Sequence, residues 1–238
     1  MLVGAESSLS EEMAGVNGDM RVRATADTGA MEWTASPAGQ VLRKRLHLVG
    51  EAESGQVTSL VRYLPGARFP EHDHPEGEEI LVLEGTFSDH DGDAMAGTHL
   101  LNPEGHRHAP YSEPGCLLLV KLRQYAGDGR PYRRTQTDDV AWTEGPVEGI
   151  DVKTLFADAR FPETTRLERW SVGAEPPVWI ARGGREVFVL EGAFEDEAGG
   201  YGPGTWLRLP DGAQVRARSR TGCLLYAKEG AVAGLRST

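Results

Sequence analysis

From Trp33 onward, apolar and polar residues alternate in short runs separated by turn formers. Such period-two alternation is the signature of half-buried β-strands. It predicts strands over 40–49, 56–64, 79–83, 86–88, 99–101 and 117–122, each bounded by Gly, Pro, Glu or Ser. Many short strands at this spacing predict a sandwich or barrel, not βαβ units. No amphipathic run is long enough for a major helix. Residues 1–28 are small, polar and acidic without sustained periodicity. They read as a mobile tail with a short helical turn near Glu11, the competing reading being an arm ordered by docking on a partner. Residues 126–140, polar and Gly/Pro-containing, read as a linker.

After that linker the pattern restarts. Residues 62–121 lie on 169–228 at a constant offset of 107 without gaps. Gly66, Leu83, Glu84, Gly85, Phe87, Asp89, Gly97, Pro103, Gly105 and Cys116 recur as Gly173, Leu190, Glu191, Gly192, Phe194, Asp196, Gly204, Pro210, Gly212 and Cys223. Upstream, Trp33–Thr34 match Trp142–Thr143 after a two-residue length change. This is an internal duplication, and it predicts two all-β barrels of one fold, over 29–125 and 141–238.

Charge and composition narrow the function. The chain of 238 residues carries a formal charge of −11 and no Lys/Arg cluster large enough for a nucleic-acid face. The same balance argues against anionic membrane surfaces, and no apolar run reaches the roughly 18 residues of a membrane-spanning helix. The N-terminus has no signal-peptide pattern. The two cysteines sit at equivalent places in the two repeats, beyond expected disulfide range, and read as buried thiols. A reducing cytoplasm is the expected compartment.

The candidate chemistry lies in one half. All seven histidines precede residue 109. His72 and His74, two apart, point to one face of a strand, roughly 7 Å apart along it. Glu78 returns to the same side if the chain turns at 75–77. Two imidazoles and a carboxylate suit a transition metal awaiting a fourth ligand, for which His108, after a Pro-x-Gly turn, is the candidate.

These stretches resemble the paired motifs of the cupin superfamily. Gly66, His72, His74, Glu78 and Gly85 match the first motif, and Gly97, Pro103, Gly105 and His108 the second, whose closing Asn is Ser112 here. The strings around 77–89, 102–110 and 115–122 look most like the ChrR-type cupins. That group includes the cupin domain of a zinc-binding anti-sigma factor and some small non-haem dioxygenases. The resemblance implies tandem jelly-roll (double-stranded β-helix) barrels, a bicupin. It implies one divalent transition metal ion per chain (Fe, Zn, Ni or Mn) on His72, His74, Glu78 and His108.

In the second repeat those four positions are Trp179, Ala181, Arg185 and Val215. The second barrel is therefore expected to keep the scaffold without the metal, since an Arg in place of the Glu opposes a cation. The motif spacing selects His108 over His106, which reads as an exposed turn residue. His90 likewise reads as an exposed turn residue, His47 as a strand-surface residue and His99 as a strand residue of undetermined facing. Glu79, retained as Glu186, reads as structural. Asp89, Asp91 and Asp93 read as a solvated hairpin turn. Three functions remain open: a metal-dependent enzyme, dioxygenase-like, on a small carbonyl or enol substrate; a non-catalytic metal-dependent sensor of a small ligand; and, ranked lower, a plain metal or small-ligand binder of the storage-bicupin kind. Direct sigma-factor binding is not expected, because the first 28 residues hold no His or Cys for the helical zinc domain. A homodimer is compatible with the sequence but not required by it.

Overall fold

A computed structural model describes residues 15–238. The earlier part of the predicted tail, with the turn expected near Glu11, lies outside the described residues. The chain is nearly all β. Among the described residues the only helical segments are three short 3₁₀ turns, and no helix is long and apolar enough to cross a membrane.

The chain divides into two units, one built on Glu32–Gln136 and one on Thr137–Leu235. The first unit has its main strands in the order Arg133–Gln136, Thr98–Asn102, Glu78–Asp89, Cys116–Leu122, Gln56–Tyr63, Val41–Val49, Thr34–Ala35. Every pairing along that order is antiparallel. The second unit repeats it as Ala24–Asp27, Thr205–Leu209, Arg185–Gly192, Cys223–Glu229, Thr164–Trp170, Ile150–Ala157, Thr143–Glu144. The register is repeated as well: Glu78 faces Asn102 in one unit and Arg185 faces Leu209 in the other.

Period-two alternation builds each core. Ile80 with Val82 and Leu118 with Val120 point inward in the first unit. Val187 with Val189 and Leu207 with Leu209 do so in the second. Each such aliphatic side chain contributes roughly 1.5–3 kcal/mol on burial. Gly85 shows why the turn glycines recur. Its φ is +72°, and a Cβ there would lie 2.0 Å from the Gly115 carbonyl oxygen. Gly192 repeats both features against Gly222.

Two segments depart from the sequence reading. Residues 24–27, assigned to the tail, form a strand on Thr205–Leu209. Residues 133–136, assigned to the linker, form a strand on Thr98–Asn102, followed by a 3₁₀ turn at Thr137–Asp139. Each is the outermost strand of its unit's sheet. Such strands are held by backbone hydrogen bonds and carry few apolar side chains, so ATAD and RRTQ give no hydrophobic signal. The strands expected at 79–83 and 86–88 are one continuous strand, Glu78–Asp89.

Candidate metal centre

In the first unit a two-stranded ribbon pairs His72–His74 with His106–His108, with His72 opposite His108 and His74 opposite His106. Directly paired residues share a face, so the ribbon turns all four imidazoles to one side, while Asp73 and Arg107 point outward. Glu78 arrives on the next strand, after a turn in which Gly77 takes φ +71°.

The rings converge. The centroids of His72, His74 and His108 are 4.8–5.0 Å apart, and one nitrogen from each lies within 4.8 Å of the others. His74 Nε2 is 3.0 Å from His108 Nε2. Glu78 Oε2 is 3.4 Å from His74 Nε2 and 3.8 Å from His108 Nε2. All four predicted residues are thus brought together, and His74, Glu78 and His108 are buried.

The surroundings set the donor atoms. His72 Nδ1 donates to the Pro70 carbonyl at 2.8 Å. His108 Nδ1 donates to Asp89 Oδ2 at 3.0 Å. With Nδ1 protonated in both, each neutral ring keeps its lone pair on Nε2. Asn102 Nδ2 donates to Glu78 Oε2 at 2.8 Å. Burial would raise the Glu78 carboxyl, but His74, His108 and the Asn102 bond together hold it below the usual range. Burial pushes the His74 imidazole down, against the opposing pull of Glu78, and His108 and His72 reinforce the burial. Burial opposes charge on His108 too, but the Asp89 bond and Glu78 outweigh it and raise its basicity. Imidazoles oriented in this way around a carboxylate suit a divalent transition metal.

The centre opens on a cavity of about 200 Å³ inside the barrel. Val57, Val61, Phe69, Ile80, Leu118 and Val120 give it apolar walls. Tyr63 and the strand-borne Arg43 and Arg45 add polar groups.

His90 is an exposed turn residue as expected, whereas His106 and His47 are placed otherwise than expected. His106 is not in an exposed turn. It lies on the inner side of the ribbon, stacked on Tyr132 at 5.5 Å and on His90 at 5.8 Å. His47 is fully buried instead of lying on the strand surface, with Nδ1 3.2 Å from the Asn17 carbonyl oxygen. A register shift between Arg45 and His47 moves its side chain off the expected face. His99 is buried and bonds Glu79 at 3.0 Å. The equivalent pair in the second unit is Glu186 with Trp206, at 3.1 Å, so Glu79 has the structural task its retention suggested.

Asp89 was misread as a solvated turn residue. It does open the hairpin, opposite Gly92, but its carboxylate orients His108. The available signal was its recurrence as Asp196, which accepts from Tyr201 and pairs with Arg23. Cys116 and Cys223 are buried and unbridged, and burial pushes both thiols up to about 11.

In the second unit an internal ion network occupies the corresponding position. Arg185 donates to Glu168 at 2.7 Å and to Glu229 at 3.3 Å, and its guanidinium lies 3.7 Å over the Trp179 ring. Arg166 bonds the same two carboxylates at 2.6 and 3.1 Å. Burial opposes ionisation of Glu168, but Arg185 and Arg166 outweigh it and hold the carboxyl at about 2.

Comparison with known proteins agrees with this architecture. A family model described as the ChrR cupin-like domain matches twice, over residues 21–126 and 132–233. No curated protein sequence matches significantly. Among solved structures, a candidate dioxygenase from Nostoc punctiforme is 13% identical, with a TM-score of 0.72 over 91% of this chain and 86% of its own. A candidate glyoxylate-induced protein from Pseudomonas aeruginosa is 15% identical, with a TM-score of 0.71 over 91% of each chain. A variant of Bacillus subtilis oxalate decarboxylase is 13% identical, with a TM-score of 0.62 over 87% of this chain and 77% of its own. At these identities the likeness is one of fold.

Proposed function

This chain belongs to the ChrR cupin-like family in both of its halves, and from that premise we propose that its first barrel is a non-haem metal-dependent enzyme. His72, His74, Glu78 and His108 hold one divalent ion, and the substrate is a small carbonyl or enol compound whose C–C bond is cleaved with dioxygen. The observation that carries the proposal is the convergence of three imidazoles and one carboxylate at the wall of an apolar cavity. A divalent ion there supplies Lewis acidity toward a substrate oxygen and, as iron(II), the electrons for dioxygen chemistry. On a five- or six-coordinate ion these four protein donors would leave one or two positions for substrate, whereas a tetrahedral ion would be closed by them.

The chain's own residues do the rest. Asp89 and the Pro70 carbonyl orient two of the rings, and Asn102 steadies Glu78. The aliphatic walls exclude bulk water, which strengthens every polar interaction inside. The second barrel takes no ion, because the Arg185 and Arg166 guanidinium groups already neutralise its two carboxylates.

The test is metal content of the purified chain, followed by oxygen uptake with β-diketones and hydroxyaryl ketones. One ion per chain, and uptake that disappears in His74→Ala together with the ion, supports the enzyme. Tight ligand binding without turnover moves the assignment to a metal-dependent sensor. No ion defeats the metal reading, and two ions per chain defeat the reading that the first barrel alone binds metal.

A further inference from the structure

Two arginines face into the cavity of the first barrel. On the strand Val41–Val49, Val41, Arg43 and Arg45 share the inward side, and all three line the cavity that His72, His74, Glu78 and His108 also line. Inward-facing guanidinium groups in an apolar barrel are costly unless an anion accompanies them.

Here the anion is Glu53, from the turn that follows this strand. Arg43 donates through Nη1 and Nη2 to Glu53 Oε2, at 3.0 and 2.9 Å. Arg45 Nη2 donates to Glu53 Oε1 at 3.1 Å and to the Ala52 carbonyl at 3.0 Å. Two guanidinium groups thus engage both oxygens of one carboxylate, the arrangement by which arginines recognise carboxylate ligands. The carboxylate they hold is half exposed, whereas the arginines are mostly buried. An exposed partner exchanges readily for a competing anion, because water screens it and little burial is lost on its departure.

The duplication supplies a control. Thr34 pairs with Arg43, and its counterpart Thr143 pairs with Val152. In that register Arg43 and Arg45 become Val152 and Thr154 in the barrel that lacks the histidines. The arginines therefore accompany the metal-ligand set and are not a requirement of the scaffold.

We propose that Arg43 and Arg45 are a carboxylate-recognition site, that the ligand of the first barrel is a small carboxylate bearing a second, metal-seeking oxygen, and that Glu53 is a latch the ligand displaces. This rests on the reading above for the metal end of the ligand, not for the arginine end. The cavity of about 200 Å³ lies below the roughly 300–1,000 Å³ typical of sites for drug-sized molecules, so short-chain dicarboxylates and oxo acids are the fitting class.

The experiment titrates oxalate, malonate, succinate, glutarate and pyruvate, with their methyl esters, into the full chain by calorimetry. Metal-loaded and metal-free samples are both used, with metal content measured in each. Glu53→Gln tightens binding of at least one acid about fivefold or more. Arg43→Gln/Arg45→Gln weakens it about tenfold or more, the loss expected for charge-assisted hydrogen bonds, and the esters do not bind. Arg43→Lys/Arg45→Lys keeps the charge but loses the paired donors, so it also weakens binding, and circular dichroism checks that it folds. The inference is overturned if no acid binds Glu53→Gln, or if affinity is indifferent to both arginine variants. A chain that shows the opposite-signed responses yet takes up no metal keeps the carboxylate site and loses the metal reading. A chain that loads metal without those responses does the reverse.

Discussion

Replacing Arg185 by Met should test whether the second barrel depends on its own cation. The guanidinium is almost fully buried, and its partners are explicit: Glu168 at 2.7 Å, Glu229 at 3.3 Å and the Trp179 ring. Breaking a buried ion pair costs about 3–5 kcal/mol, because the remaining charge is left without compensation. Glu168 would retain Arg166 at 2.6 Å and the Trp170 indole N–H at 3.0 Å, which places Arg185→Met near the lower end, at ~3 kcal/mol. Glu168→Leu strands Arg185 on the longer bond to Glu229 and falls toward the upper end of that range. Removing both, as Arg185→Met/Glu168→Leu, leaves the Arg166–Glu229 pair intact and exchanges a buried pair for apolar volume. The double variant should therefore recover much of the loss, with a coupling of at least ~2 kcal/mol in a double-mutant cycle. Urea unfolding followed by tryptophan fluorescence suits the measurement, since Trp142, Trp170, Trp179 and Trp206 lie in the second unit and only Trp33 in the first. A loss under ~1 kcal/mol for Arg185→Met, or strictly additive effects in the cycle, would refute the reasoning, because neither fits a charge left uncompensated in the barrel.

The same network gives the second unit an acid limb. Glu168 has a folded value of about 2 against an ordinary 4.5, so its stabilisation is complete above the unfolded value and is lost as pH falls from 4.5 toward 2. In Arg185→Met that limb moves to higher pH, and denaturation midpoints from pH 2 to 6 would show it. Asp89→Ala should lower metal affinity about 10–100-fold while leaving the fold intact, with Asp89→Asn milder because its carbonyl still accepts from His108; competition with a chromophoric chelator measures both. Gly85→Ala should cost more than ~1 kcal/mol, since a Cβ at positive φ would meet the Gly115 carbonyl; a thermal midpoint equal to wild type would contradict it.

Much of this protein is determined by its sequence alone. Period-two alternation and recurring glycines specify two all-β units, because strand side chains alternate and only glycine takes positive φ without strain. The spacing of His72, His74, Glu78 and His108 identifies the residues that converge, since the ribbon register carries the three histidines onto one face and the turn at Gly77 brings Glu78 to them. What sequence left undecided depends on partners distant along the chain. Asp89 and Asn102 look like turn and strand residues until folding sets them against His108 and Glu78. The strands Ala24–Asp27 and Arg133–Gln136 have no apolar pattern, and only their hydrogen-bonding neighbours reveal them. Sequence could show that Arg185 stands where the first repeat carries Glu78. That it joins a closed set of two arginines and two glutamates, and that Arg43 and Arg45 turn inward on a borrowed carboxylate, follows only from the tertiary structure. Charge compensation depends on distances in space, and separation along the chain does not encode them.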